Sequence, residues 1–165
     1  VTHRLAIEVP PGEPAVIFRR FVDAPPELVF AVWTEPEHLR NWWGPRQFEL
    51  VVCESDPRAG GRYRFVQRAP DGQEHTFHGT YREVDCPGRL VRTFVYAGAP
   101  ADESVETLTF QRDGDGTLIT STSVFPSFAA REFYVQGGLE AGLRESHQRL
   151  DEWLETIHNQ TRRRQ

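Results

Sequence analysis

Apolar and polar positions alternate through the middle of this chain. In 61–68, Tyr63, Phe65 and Gln67 fall on one side and Arg62, Arg64 and Arg68 on the other, the period of two that marks a strand with one wet face. Leu108 and Phe110 oppose Thr107, Thr109 and Gln111 in the same way. Strands are predicted at about 46–54, 61–68, 75–84, 89–96, 105–112 and 117–125, after a first one at 15–22. Gly60-Gly61, Pro70-Asp71-Gly72, Asp85-Cys86-Pro87-Gly88 and Asp113-Gly114-Asp115-Gly116 punctuate them. Such turn residues, with no helix-length segment between the strands, predict antiparallel hairpins joined in a meander.

Helical spacing brackets that block. Leu28, Val29, Val32 and Trp33 form a stripe behind Asp23, which stands where an N-cap would, and Pro25-Pro26 near the first turn. Pro36 opens a second short helix, Glu37 sits near its positive end, and Gly44-Pro45 stops it. A long helix is predicted over about 128–158, where Leu139, Leu143, Leu150, Trp153, Leu154 and Ile157 fall within a stripe roughly 100° wide. Gly138, Gly142 and Ser146 border that stripe, and Gly137-Gly138 predicts a bend that could serve as an entrance. One helix cannot cover both faces of so large a sheet. The sheet must curl around the helix, and a curled sheet tends to leave a cavity.

The expected fold class is therefore α+β: a curved antiparallel sheet of about seven strands around a long C-terminal helix, with two short helices after the first strand. Residues 1–14, with Pro10, Pro11, Gly12 and Pro14, read as an arm; 15–158 as one domain; 159–165 as a basic tail. A single domain of 165 residues buries roughly 70% of its unfolded surface, so no staple or metal is needed for a core. A net charge of −5 disfavours nucleic acid, which needs clustered cations. No apolar run is long enough to predict a membrane span. The first 14 residues show no apolar signal-type core, so a cytoplasmic location is expected. Cys53 and Cys86 are too few for a disulfide framework and are expected as reduced thiols.

Recognisable catalytic motifs are sparse. Gly60-Gly61 introduces a strand rather than a helix, which disfavours a phosphate loop, and there is no Gly-x-Ser-x-Gly elbow. No metal or cofactor is expected. His75 and His78 share a strand at odd spacing and face opposite sides; His78, near Tyr81 and Glu83, is either a pocket acid–base group or an edge histidine. His147, at the border of the helical stripe with Glu140 two turns earlier, is either a proton-transfer partner or a wet flank. Trp42 and Trp43, read as helix neighbours about 100° apart, should not share a site: packing at the mouth of the sheet and stacking on a ligand are both open to them.

Several runs carry a family likeness: Arg20-Phe21-Val22-Asp23-Ala24-Pro25, Val29-Phe30-Ala31-Val32-Trp33, Trp42-Trp43-Gly44-Pro45, Gly60-Gly61-Arg62-Tyr63-Arg64-Phe65, Phe77-His78-Gly79-Thr80-Tyr81-Arg82-Glu83-Val84 and Gly138-Leu139-Glu140-Ala141-Gly142-Leu143. In these and in element order, residues 15–157 resemble the SRPBCC superfamily, also called START-like or Bet v 1-like. More narrowly they resemble the bacterial branch related to the C-terminal domain of the activator of Hsp90 ATPase. The resemblance implies a helix-grip fold with a deep cavity between sheet and long helix, and no shared catalytic set. That branch often has Trp where this chain has Leu143, a change that enlarges or reshapes the cavity if the position faces inward.

The leading expectation is a binder of a small apolar or aromatic molecule, lipid- or polyketide-like. Trp33, Trp43, Tyr63 and Phe65 are candidates for its wall, with Phe77, Tyr81 and Phe94. Gly138, Gly142, Leu143 and Ser146 are the helix candidates, and Gln67, His78 and Thr122 the polar ones. The resemblance also leaves open a cyclase or dehydratase acting on a polyketide-like substrate, and a co-chaperone that stimulates an Hsp90-type ATPase. A homodimer is left open as well.

Overall fold

The computed structural model describes residues 4–165. Eight strands make one antiparallel sheet: β1 (Ala6–Glu8), β2 (Ala15–Val22), β3 (Glu49–Ser55), β4 (Arg62–Arg68), β5 (Glu74–Asp85), β6 (Arg89–Tyr96), β7 (Ser104–Asp113) and β8 (Gly116–Val124). Their spatial order is β1-β2-β8-β7-β6-β5-β4-β3. The meander over β3–β8 is the one expected from the turns. The eighth strand, β1, was not foreseen: Ala6 pairs opposite Arg19 and Glu8 opposite Ile17, within the segment read as an arm. Residues 1–3 of that arm lie outside the described residues.

The chain leaves β2, beside β8, and must reach β3 at the far edge. It crosses through α1 (Pro26–Thr34) and α2 (Pro36–Leu39). Asp23 does not cap α1. The cap position is Pro25, with no side-chain bond, and Pro26 opens the helix, where the missing N–H costs nothing. Phe30 meets Phe110 of β7 edge-on at 5.6 Å, and Trp33 lies 5.9 Å from the same ring. Leu39, Leu90, Leu108 and Ile119 complete a fully buried centre. Register shifts between Leu50 and Val52 in β3 and between Tyr81 and Glu83 in β5 are bulges of the kind that bend strands.

The expected single C-terminal helix is two: α3 (Phe128–Gln136) and α4 (Leu139–Arg162). The break falls where Gly137-Gly138 predicted a bend. Gly138 adopts φ +96°, a left-handed conformation that a β-carbon disfavours. At its other end α4 continues beyond 158 into the segment read as a tail. No helix among the described residues is long and apolar enough to cross a membrane.

Candidate functional site

A cavity of about 490 Å³ lies between the inner face of the sheet and the first half of α4. Strand parity builds its aromatic wall: Phe77 of β5 stacks 5.6 Å from Phe94 and 5.2 Å from Tyr96, both on β6. Trp43 stands 5.3 Å from Phe77. Leu139, Gly142 and Leu143 form the roof, with Phe133 and Tyr134 of α3 beside them. Open space lies beneath this roof: a β-carbon on Gly142 would meet nothing within 4 Å.

The loop after α2 is tied to α4. Gly44 N–H donates to Ser146 Oγ at 3.1 Å, and Arg149 donates to the Gly44 carbonyl at 2.6 Å. Arg46 N–H donates to Glu145 at 2.7 Å. Gly44 has φ +88°, and a β-carbon there would lie 1.7 Å from Gln67 Nε2; only glycine lets the loop pass this close. Trp43 is thereby held at the cavity wall.

Two polar clusters, each built on a buried arginine, adjoin this apolar space. In the first, Arg92 of β6 donates through Nε to Glu106 Oε1 on β7 at 2.7 Å, and Ser121 Oγ donates to Glu106 Oε2 at 3.1 Å. Burial works against the Arg92 charge, but Glu106 holds its pKa above the ordinary value. Its Nη1 is buried without a hydrogen-bond partner. In the second, Arg20 Nη1 donates to His147 Nδ1 at 3.2 Å, while Nη2 donates to Asp151 at 2.5 Å. A guanidinium can only donate, so Nδ1 carries a lone pair and the neutral ring bears its proton on Nε2. Burial, and then the Arg20 charge, push the His147 pKa down to about 3. Phe18 at 4.9 Å, Trp33 at 5.7 Å and Trp42 at 6.1 Å surround the ring. Nearer the aromatic wall, His75 Nδ1 and Tyr96 Oη are 2.8 Å apart.

Of the residues proposed from sequence, Trp33, Trp43, Gln67, Phe77 and Phe94 border the cavity, as do Gly138, Gly142, Leu143 and Ser146. Four do not. Tyr63, Phe65 and Tyr81 point inward but form a packed layer of their own. Tyr63 lies 5.1 Å from Phe65 and 5.4 Å from Tyr81, and Trp43 covers Phe65 at 4.6 Å. Gly79 makes room for this layer, since a β-carbon there would lie 2.6 Å from Tyr63 Oη. His78 is exposed on the outer face; parity sends His75 and Phe77 inward instead. Thr122 likewise faces away, and its neighbour Ser123 borders the cavity.

Three further expectations are corrected. Trp42 and Trp43 both border the cavity, just after the end of α2: they point apart, Trp42 onto Trp33 and Trp43 onto Phe65, and the cavity is wide enough to touch both. Glu140 is bound to Arg144 at 2.9 Å and forms no pair with His147. His147 itself is 3% exposed, a core residue rather than a wet flank. The two cysteines are free; Cys53 is buried, which pushes its thiol pKa up to about 11.

Sequence reasoning missed Arg20, Arg92 and Glu106 by assigning charged side chains to water. A signal was present. Arg92 shares parity with Phe94, and Glu106 with Leu108 and Phe110, so each had to point inward with its apolar neighbours.

A family model described as Activator of Hsp90 ATPase homolog 1-like protein matches residues 23–155. No curated protein matches the chain. Among solved structures, a Rhodobacter sphaeroides protein superposes with a TM-score of 0.84 at 25% identity, over 92% of this chain and 99% of that one. A Mycobacterium smegmatis protein gives 0.83 at 20% identity, over 92% and 97%. An AHSA1 protein from Silicibacter pomeroyi gives 0.73 at 20% identity, over 87% and 99%.

Proposed function

The chain belongs to the Activator of Hsp90 ATPase homolog 1-like family, and from that premise we propose that it binds a small apolar or aromatic molecule, lipid- or polyketide-like, between the sheet and α4. The observation that carries this reading is an open space between a stacked aromatic wall and a roof of leucines and glycines. Aromatic rings and Leu143 line a space of about 490 Å³, inside the roughly 300–1,000 Å³ range of ligand pockets. A ligand there gains from apolar burial at about 25 cal/mol per Å². Leu143 supports the reading further: it lies at the roof, where an indole would occupy ligand space.

A second reading, proton-transfer catalysis on the bound molecule, is favoured by the His75–Tyr96 contact at the cavity wall. Both side chains can pass a proton along a hydrogen bond, and both line the cavity.

A thermal-shift screen with apolar and polyketide-like compounds tests binding. At least one class raises Tm in the wild type and fails to do so in Leu143→Trp. No shift across a broad set, together with stimulation of a purified bacterial Hsp90 ATPase, would move the function from the cavity to the exterior. Turnover of a bound compound that is lost in both His75→Gln and Tyr96→Phe would establish the catalytic reading.

A further inference from the structure

The polar atoms at the cavity are unequal, and their inequality restricts the ligand. Both carboxylate oxygens of Glu106 are engaged, one by Arg92 Nε and one by Ser121. The Ser146 hydroxyl already accepts from Gly44. Two buried polar atoms of lining residues have no partner among the described residues: the Tyr134 hydroxyl, and Arg92 Nη1, a charged donor on a side chain 6% exposed. Tyr63 does not relieve it. The guanidinium carbon stands 5.1 Å from that ring's centroid, and the Tyr63 hydroxyl donates to the Thr93 carbonyl. A buried donor left unmade costs about 1–3 kcal/mol, and more when charged. A ligand acceptor would recover that cost.

Charge decides what kind of acceptor. Arg92 is balanced by Glu106 at 2.7 Å, and Arg20 by Asp151 at 2.5 Å. His147 is held neutral between Arg20 and three aromatic rings, with only an N–H left to offer. A carboxylate or phosphate placed beside Arg92 would bring a second negative charge next to Glu106 in a space walled by aromatic rings. Burying an unbalanced charge is strongly unfavourable. A neutral oxygen satisfies Nη1 without that penalty.

We propose that the ligand is an uncharged ring compound bearing a ketone, ester or similar acceptor oxygen, and that Arg92 Nη1 donates to that oxygen. Arg92 is thus a specificity-determining residue of the cavity, the charged one of the two lining residues with a buried polar atom left unpaired. The proposal rests on the binding reading above and adds the polarity of the ligand to it.

Three fluorescent naphthalenes test it, alike except for one substituent: a dimethylaminonaphthalene carrying a propionyl ketone, a propyl chain or a carboxylate. Titrated into the wild-type protein, the ketone binds about ten- to a hundredfold more tightly than the propyl compound, the range expected for one hydrogen bond to a charged donor, and the carboxylate binds more weakly than the ketone. In Arg92→Met/Glu106→Leu, which replaces the ion pair by apolar side chains of similar bulk, the ketone loses its advantage over the propyl compound. The wild-type comparison stands alone if the double variant does not fold. Equal binding of ketone and propyl compounds overturns the inference and leaves the apolar-cavity reading in place. Tighter binding of the carboxylate overturns the claim of neutrality. Binding of none of the three overturns both readings.

Discussion

One helix, α4, presents the same apolar stripe to two different surroundings. Along its middle, Leu150 is 1% exposed within the main core, and Trp153 donates to His38 Nδ1 of α2 at 3.0 Å. Along its first turns, Leu139 and Leu143 stay half-buried over the cavity. The difference lies in what faces the stripe. The front segment supplies Trp33, Leu39 and Trp42 to the core that holds Leu150, whereas Gly138 and Gly142 sit where the helix faces the cavity. Filling gives stability and hollowness gives a site, and the glycines mark where one changes to the other. His147 stands at that boundary, bordering the cavity and buried in the aromatic cluster.

Truncation should separate the two halves most strongly. Leu150→Ala is expected to cost about 2–5 kcal/mol in urea denaturation, as filled core positions do. Leu143→Ala should cost well under half as much, because its site is already open on one side. Comparable losses at the two positions would mean that the first half is as well packed as the second.

The boundary should respond to acid. Folding depresses the His147 pKa from the ordinary 6.5 to about 3, so the unfolded chain binds this proton more readily than the folded one. The stabilisation is fully present above about pH 6.5 and is lost as pH falls toward 3, at a limiting slope of about 1.4 kcal/mol per unit. In His147→Asn, whose amide oxygen can still accept from Arg20, the dependence of stability on pH in that window should be distinctly shallower. Parallel wild-type and variant curves would contradict a neutral, buried His147.

The smallest effect has the opposite sign. Gly142→Ala meets open space and replaces a poor helix former with the best, so chemical denaturation should show a gain of about 1 kcal/mol. A loss instead would show that the roof is closer to the wall than the geometry states.

The strands were legible because alternation is local: the 61–68 pattern alone separates Arg62, Arg64 and Arg68 from Tyr63, Phe65 and Gln67. β1 was not, since three residues with no clear alternation pair only because β2 offers a free edge. The cavity's location followed from its glycines. Its inner lining did not, because the pattern tells which side Tyr63 and Tyr81 face but not that Trp43 closes over Phe65 and leaves them in the core. Arg20, Arg92 and His147 were misjudged for a different reason. Hydropathy places charged residues in water one at a time, whereas these are buried with partners distant in sequence: Asp151 for Arg20, Glu106 for Arg92, and Arg20 itself for His147.

The central claim, a ligand cavity under the first half of α4, is tested most directly by titrating the propyl-substituted naphthalene into the wild type and Leu143→Trp, with the stability of each measured alongside. Saturable one-to-one binding in the wild type, lost in a Leu143→Trp protein of equal or greater stability, is the predicted result. Undiminished binding by the folded variant, or none by the wild type, would contradict it.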